Sequence, residues 1–433
     1  MTSEARAENS GAIPAVHVLG PSSPGGPGGA PLSPADAAPL DRRVWQLAFA
    51  RAVNTMGLSL VMTFLGIYVV ETRGYPAWMY GVVALVANLG QSFSSMWAGS
   101  LSDRIGRRPL ITGSLFIRSG VIALLGVQVL LHAPLWSFAA NMVVSSSLRG
   151  CFEPVAYALV ADVCSPAQRV RAFGIQRMGV NLGWAIGPAL GGVLTLVMPY
   201  GAMFFLAAVG MLIAGAVTLR VRDPLAEAPR PAAEPAGASL RTLRRAVADR
   251  TLRLLLLASF LAAVLQTQMF GTLSIFLTRE IGLTKADVGL LYALNGATVL
   301  VLQVPALRLL ERVGLGRGLP WAAVISTLGF ALVGLGSGLG GAALAMLVMT
   351  AAEVVFAPAH QTAIAEVADP AHRGQTYGVV GFAQMLGIAV APLFGGILLD
   401  TIGDHHITVW LTIALFGAAE AGCLWLFVRR RAR

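Results

Sequence analysis

RGCFEPVAYALVADVCSPAQRVRAFGIQRMGVNLGWAIGPALGG, residues 149–192, is matched without a gap by EVVFAPAHQTAIAEVADPAHRGQTYGVVGFAQMLGIAVAPLFGG, residues 353–396. The offset is 204, and fourteen of the 44 pairs are identical. Pro154 matches Pro358, Pro166 Pro370, Arg169 Arg373, Gly174 Gly378 and Pro188 Pro392, and Gly191 with Gly192 match Gly395 with Gly396. Helix-breaking prolines and close-packing glycines kept in register mark an internal structural repeat.

The segments that carry the repeat are apolar. Of 433 residues, 56% are hydrophobic and 12% charged, far from the balance of a soluble domain. An α-helix crosses a bilayer with roughly 20 predominantly apolar residues. Twelve such runs follow residue 43: about 44–70, 78–99, 109–131, 136–163, 173–198, 202–220, 252–278, 287–309, 319–338, 341–367, 376–400 and 407–428. They are too long, and alternate too little, for the strands of a membrane barrel. The repeat divides them six and six, and an even number per half gives both halves the same orientation about an axis along the membrane normal. The predicted fold class is an all-α polytopic membrane protein, with twelve transmembrane helices in two six-helix pseudo-repeat bundles.

Net charge is +10, yet the arginines follow loops rather than gather on one soluble face, which argues against a nucleic-acid partner. They occupy the loops after even-numbered spans (Arg104, Arg107 and Arg108; Arg169 and Arg171; Arg312 and Arg317; Arg373) and the carboxy-terminal tail. Loops after odd-numbered spans are nearly free of them, so both termini are expected in the cytoplasm, with the chain multi-pass in the cell membrane. Residues 1–41, including PSSPGGPGGAPLSP, read as a disordered cytoplasmic tail with no signal peptide. The expected amino-terminal bundle is 42–220, the polar, proline-rich stretch 221–250 a cytoplasmic linker, 251–428 the carboxy-terminal bundle and 429–433 a basic tail. Cys151, Cys164 and Cys423 fall in or beside spans and suggest neither a disulfide framework nor a zinc site.

GSLSDRIGRRP, residues 99–109, resembles the motif between helices two and three of the major facilitator superfamily. ERVG at 311–314 stands as a degraded copy of DRIG at 103–106. GWAIGPALGG, residues 183–192, resembles the GxxxGPxxGG pattern of that family's proton-coupled antiporters, and Arg149 is placed as in its helix-four motif. The resemblance is strongest to bacterial twelve-helix multidrug exporters. It implies alternating access, a proton gradient as energy source with no bound cofactor, and function as a monomer.

These motifs have physical readings of their own. In the tight loop, Gly99 admits close neighbours, Gly106 allows a turn closed to bulkier residues, and Asp103 is able to pair with Arg107 or to bind a helix N-terminus. With Arg108 and Asp162 they form an expected cytoplasmic latch between the halves; the alternative is a basic topology signal around a turn glycine. On helix five Gly179, Gly183, Gly187 and Gly191 recur every four residues, with Gly192 beside them, and Pro188 kinks the helix. The expectation is a bent sliding surface between halves, set against ordinary small-residue packing.

Arg149 and Glu153 lie near the centre of an apolar span, where a charge costs about 2.5–3.5 kcal/mol on insertion scales. Four residues apart, they share a helix face and are expected to pair. Glu153 is thus the first candidate for a proton-binding carboxylate tuned by Arg149, with a permanent structural bridge as the alternative. Glu353 holds the repeat position of Arg149, so symmetry makes Arg149 a switch between Glu153 and Glu353. Glu420 is a third deep acid, without an obvious partner. Arg51 and Arg118 reach either the cytoplasmic interface or a packed partner.

Asn54, Tyr157, Trp184, Gln266, Gln268, Tyr292 and Asn295 are expected to line a site for a large amphipathic compound held mostly by apolar contact. No phosphate loop follows a strand and no metal-spaced His or Cys cluster occurs, so the chain reads as a transporter rather than an enzyme. The leading reading is proton-coupled export of small amphipathic compounds. Uptake of a specific metabolite, lipid flipping and a non-transporting sensor are the alternatives.

Overall fold

The structure, a computed structural model, describes residues 39–164, 168–222, 248–367 and 373–431. Within these it leaves undescribed the surroundings of Gly99, Ser100, Asp103, Arg169, Val170, Arg373, Gly374 and Gln375. Most of the expected amino-terminal tail and linker therefore lies outside the described residues, and the surroundings of Gly99 and Asp103 in the expected latch are likewise not described.

The regular structure of the described residues is helical. Helices of 18 residues or more are numbered here α1 (Arg42–Met62), α2 (Ala77–Ile105), α3 (Arg107–Leu130), α4 (Leu135–Val163), α5 (Arg169–Leu194), α6 (Tyr200–Thr218), α7 (Arg250–Thr267), α8 (Lys285–Val313), α9 (Leu315–Leu335), α10 (Gly338–Val367), α11 (Arg373–Ile402) and α12 (His406–Arg431). A short turn and a π-helical turn extend α1 to Thr72, and a segment at Thr272–Arg279 extends α7. Among the described residues nine helices are long and apolar enough to cross a membrane. The three long helices outside that set are α2, α4 and α5. Their sequences explain why: NLGQSFSS in α2, SSSLRGCFE in α4 and RMGVN in α5 interrupt the apolar runs.

Helix ends follow local chemistry. Gly106 alone separates α2 from α3 with φ 98° and ψ 149°, and Gly314 alone separates α8 from α9 with φ 78° and ψ 158°. Both lie in a region essentially restricted to glycine. Asp41 caps α1 by accepting from the Arg43 N–H at 2.8 Å. The Arg43 side chain donates to the same carboxylate and holds its pKa below the usual value. Thr284 and Asp287 form a reciprocal capping box at the start of α8.

The packing repeats at an interval of six helices. Helix α1 lies on α5 and α6, α2 on α4, and α3 on α4 and α6; likewise α7 lies on α11 and α12, α8 on α10, and α9 on α10 and α12. Extensive contacts between the halves are α2 with α11 and α5 with α8. One apolar core is shared by both halves at the end away from the arginine-bearing loops, from Leu60 and Phe64 to Phe276 and Trp410. At the arginine-rich end each half has its own core, one around Leu47, Leu115 and Phe152 and the other around Leu255, Phe356 and Phe427. The halves are thus joined at one end and separately packed at the other.

Candidate functional site

In the first half, charged side chains meet between its two core layers. The Arg51 Nη2 on α1 donates to Glu153 Oε2 on α4 at 2.6 Å, with Arg51 2% exposed. The Arg51 guanidinium lies 3.8 Å above the centre of the Tyr157 ring, a cation–π contact. Arg118, from α3 and also buried, donates to Asn54 Oδ1 at 3.1 Å and to Ser145 Oγ at 3.4 Å. Arg149 is half-buried and its Nε has no hydrogen-bond partner. The partner of Glu153 is therefore Arg51, not the Arg149 one helical turn away. Sequence spacing finds neighbours on one helix; here α1 supplies a guanidinium from across the bundle.

A cavity of about 250 Å³ opens between the halves, walled by α5, α8 and α10. Trp184, Asn295, Gln303, Arg177 and Glu353 line it, and Phe270 sits where it meets a smaller cavity of about 40 Å³. The smaller one is bordered by Gln266, Glu353 and Glu420. Trp184 and Phe270 pack at 4.9 Å between ring centres, and Phe270 stacks on Tyr292 at 5.7 Å. Glu420 is 1% exposed on α12. The cation that shares the cavity with Glu353 is Arg177, which replaces the expected Arg149–Glu353 juxtaposition: Arg149 belongs to the first-half cluster. Arg177 was legible only as a lone arginine within the fifth apolar run.

Of the expected lining residues, Trp184, Gln266 and Asn295 border the cavities, and Tyr157 is exposed beside the charge cluster. Asn54, Gln268 and Tyr292 are spent on internal bonds. Asn54 accepts from Arg118; Gln268 donates to the Ala391 carbonyl at 3.0 Å and accepts from Thr272, bracing the break after α7; the Tyr292 hydroxyl donates to the Met269 carbonyl at the same break. Exposed backbone at membrane depth must be paired, and the Tyr292 hydroxyl does that for the Met269 carbonyl.

The glycine face of α5 lies against α1 rather than between the halves. A Cβ on Gly183 would come within 2.8 Å of the Ala52 carbonyl and the Met56 nitrogen, and one on Gly191 within 2.5 Å of the Leu60 carbonyl. Gly187 faces Met56 and Ser59 in the same way. The contact across halves comes from the adjacent face: Gly192 meets Gly289 of α8, with the Pro188 carbonyl close by. The second half repeats this, Gly387 against Phe260 of α7 and Gly396 against Ala77 of α2. Small residues let backbones approach where lipid offers no hydrophobic driving force between helices.

At the arginine-rich end Arg107 Nε pairs with Asp162 at 2.8 Å, and Arg108 donates to the Leu219 carbonyl at 2.5 Å. Both bonds lie within the first half. At the opposite end Asp400 of α11 accepts from the Trp78 N–H of α2 at 2.8 Å and from Arg279 at 3.1 Å, linking the halves. Nothing in the local sequence pattern singled out Asp400.

Comparison with known proteins agrees with this architecture. The model of the Major Facilitator Superfamily matches residues 47–278 and 255–433. The multidrug resistance protein MdtH of Aeromonas salmonicida is 28% identical over 393 residues, covering 89% of this chain and 94% of the relative. The fold is similar to that of the nucleoside transporter NupG, with TM-score 0.72 and 14% identity over 89% of this chain and 99% of that one. It is equally similar to a POT family transporter solved with a thioalcohol-conjugated peptide, with TM-score 0.73 and 17% identity over 90% of this chain and 97% of that one. The chain belongs to the Major Facilitator Superfamily, a multi-pass membrane transporter rather than an enzyme.

Proposed function

We propose that this transporter works by alternating access and exports small amphipathic compounds in exchange for protons. In this reading α1–α6 and α7–α12 are two six-helix bundles, both termini are cytoplasmic, and the monomer is the working unit. The observation that carries it is the cavity holding Glu353, Arg177, Trp184 and Asn295 between halves that share a core at one end only. A charged, aromatic-lined space between two such bodies is what a rocking carrier uses. The likeness to MdtH supports the export of drug-like compounds.

Glu353 and Glu153 are the proton-binding carboxylates of this reading. Glu353 faces the cavity, and Glu153 becomes free to take a proton when its pair with Arg51 is disturbed. The test is proton flux into liposomes carrying the purified protein, followed with a trapped dye under an imposed pH gradient. Cationic, zwitterionic, anionic and neutral amphipathic compounds are added to wild type, Glu353→Gln and Glu153→Gln. Compound-dependent flux in wild type, lost in a variant that still folds, is the expected result. Flux that survives in both variants would remove these carboxylates from the coupling.

A further inference from the structure

The first-half charge cluster holds more positive charge than its own residues balance. Arg51, Arg118 and Arg149 converge from α1, α3 and α4, and Glu153 is the carboxylate among them. Glu153 Oε2 accepts from Arg51, while Arg118 is held by the neutral groups of Asn54 and Ser145. Arg149 lies within electrostatic reach of Arg51, Arg118 and Glu153 and makes no hydrogen bond to a described residue. The buried Nε and Nη1 of Arg51 are likewise without partners. Among the described residues, two guanidinium charges thus remain without a carboxylate of their own at membrane depth, where an unpaired ion is costly.

The cluster is also reachable. The Glu153 side chain is 23% exposed, Arg149 is half-buried and the Tyr157 ring below Arg51 is exposed. The Arg149 Nη groups beside an open aromatic face suit a flat apolar body that ends in an oxyanion, since a guanidinium matches a carboxylate or phosphate with paired hydrogen bonds. The unpartnered Arg51 atoms are buried and act through charge alone. Resting on the transport reading above, we infer that Arg149 binds the anionic group of the transported compound, with the buried charge of Arg51 beside it. The substrate class is anionic or zwitterionic amphipaths, and a purely cationic compound is a poor fit to this half of the protein.

The test uses three fluorescent probes that share one dansyl body and differ in the end group: carboxylate, phosphate or uncharged amide. Binding is measured by fluorescence anisotropy to the full chain in phosphatidylcholine nanodiscs. The two anionic probes are expected to bind about tenfold tighter than the amide, as charge-assisted hydrogen bonds require. Arg149→Gln removes that advantage and leaves amide affinity unchanged, whereas Arg149→Lys keeps part of it for a point charge. Equal binding of the three probes by wild type overturns the inference, as does an anion advantage that persists in Arg149→Gln. Should the glutamine variant fail to fold, the wild-type series and the lysine variant decide. Phosphatidylglycerol in the discs that displaces the anionic probes assigns the guanidiniums to a lipid headgroup and overturns the substrate assignment. The same probes in the liposome flux assay separate the two readings. Anion-selective binding without proton-linked movement sinks the transport coupling alone; proton-linked movement of the amide with no anion preference sinks the present inference alone.

Discussion

Asp400, near the end of α11, caps the start of α2: its Oδ2 accepts the Trp78 backbone N–H at 2.8 Å across the boundary between the halves. The first N–H groups of a helix have no partner within it, and that end carries partial positive charge. Asp400 supplies the missing acceptor from the other half. Arg279 steadies it, donating to Oδ1 at 3.1 Å and to the Leu399 carbonyl at 2.7 Å.

Loss of this cap should loosen the joined end. Asp400→Ala is expected to cost about 1 kcal/mol, the usual worth of a helix cap, which shifts the population toward states open at that end by about fivefold. Asp400→Asn keeps an acceptor and should shift it less. Distances between spin labels on the α1–α2 and α11–α12 loops report the change, and identical distributions in wild type and Asp400→Ala would show that the bond does not hold this end shut.

The Arg51–Glu153 pair should behave as a coupled unit. Glu153→Gln leaves a buried guanidinium without its carboxylate, an expected loss of about 3–5 kcal/mol. Arg51→Gln removes the same pairing from the other side. The double variant should recover much of the loss, because no uncompensated charge of the pair remains. Thermal unfolding in detergent of the four proteins measures this, and simply additive losses would mean the two side chains act independently.

Two alanine substitutions on α5 should have opposite signs. Gly183→Ala drives a methyl group into the α1 backbone, which cannot yield locally, and is expected to destabilise by about 1–3 kcal/mol. Gly174→Ala meets nothing within 4 Å and should stabilise by roughly 0.5–1 kcal/mol through helix preference. Unfolding midpoints decide, and equal effects would contradict the close α1–α5 contact.

The single-glycine joints should resist replacement for a backbone reason. Gly314 has open space around its Cβ position yet a φ of 78°, so Gly314→Ala is expected to cost about 1–3 kcal/mol from conformation alone. Gly106→Ala, with φ 98°, should cost a similar amount. Midpoints unchanged by both substitutions would show that α2–α3 and α8–α9 turn differently.

The helices were legible because an apolar run of bilayer length admits few other structures, and the repeat was legible because prolines and glycines act on their own backbone. Gly106 and Gly314 appear where DRIG and ERVG placed them, and Pro154, Pro188, Pro358 and Pro392 lie inside α4, α5, α10 and α11. Among the candidate site residues, Trp184, Gln266, Asn295, Glu353 and Glu420 border the two cavities between the helices. Tyr292 and Gln268, of the same residue types, are consumed in bracing a broken helix.

What the sequence determined by itself is whatever depends on a few residues in a row: helix length, the glycine joints, the prolines within helices and the internal repeat. What only the tertiary structure decided is which distant groups meet. Glu153 pairs with Arg51, 102 positions away, instead of Arg149 four positions away, and the α5 glycines press on α1 while Gly192 alone among the motif glycines turns to α8. Charges and close contacts act through space, and only the packed bundle sets the distances over which they act.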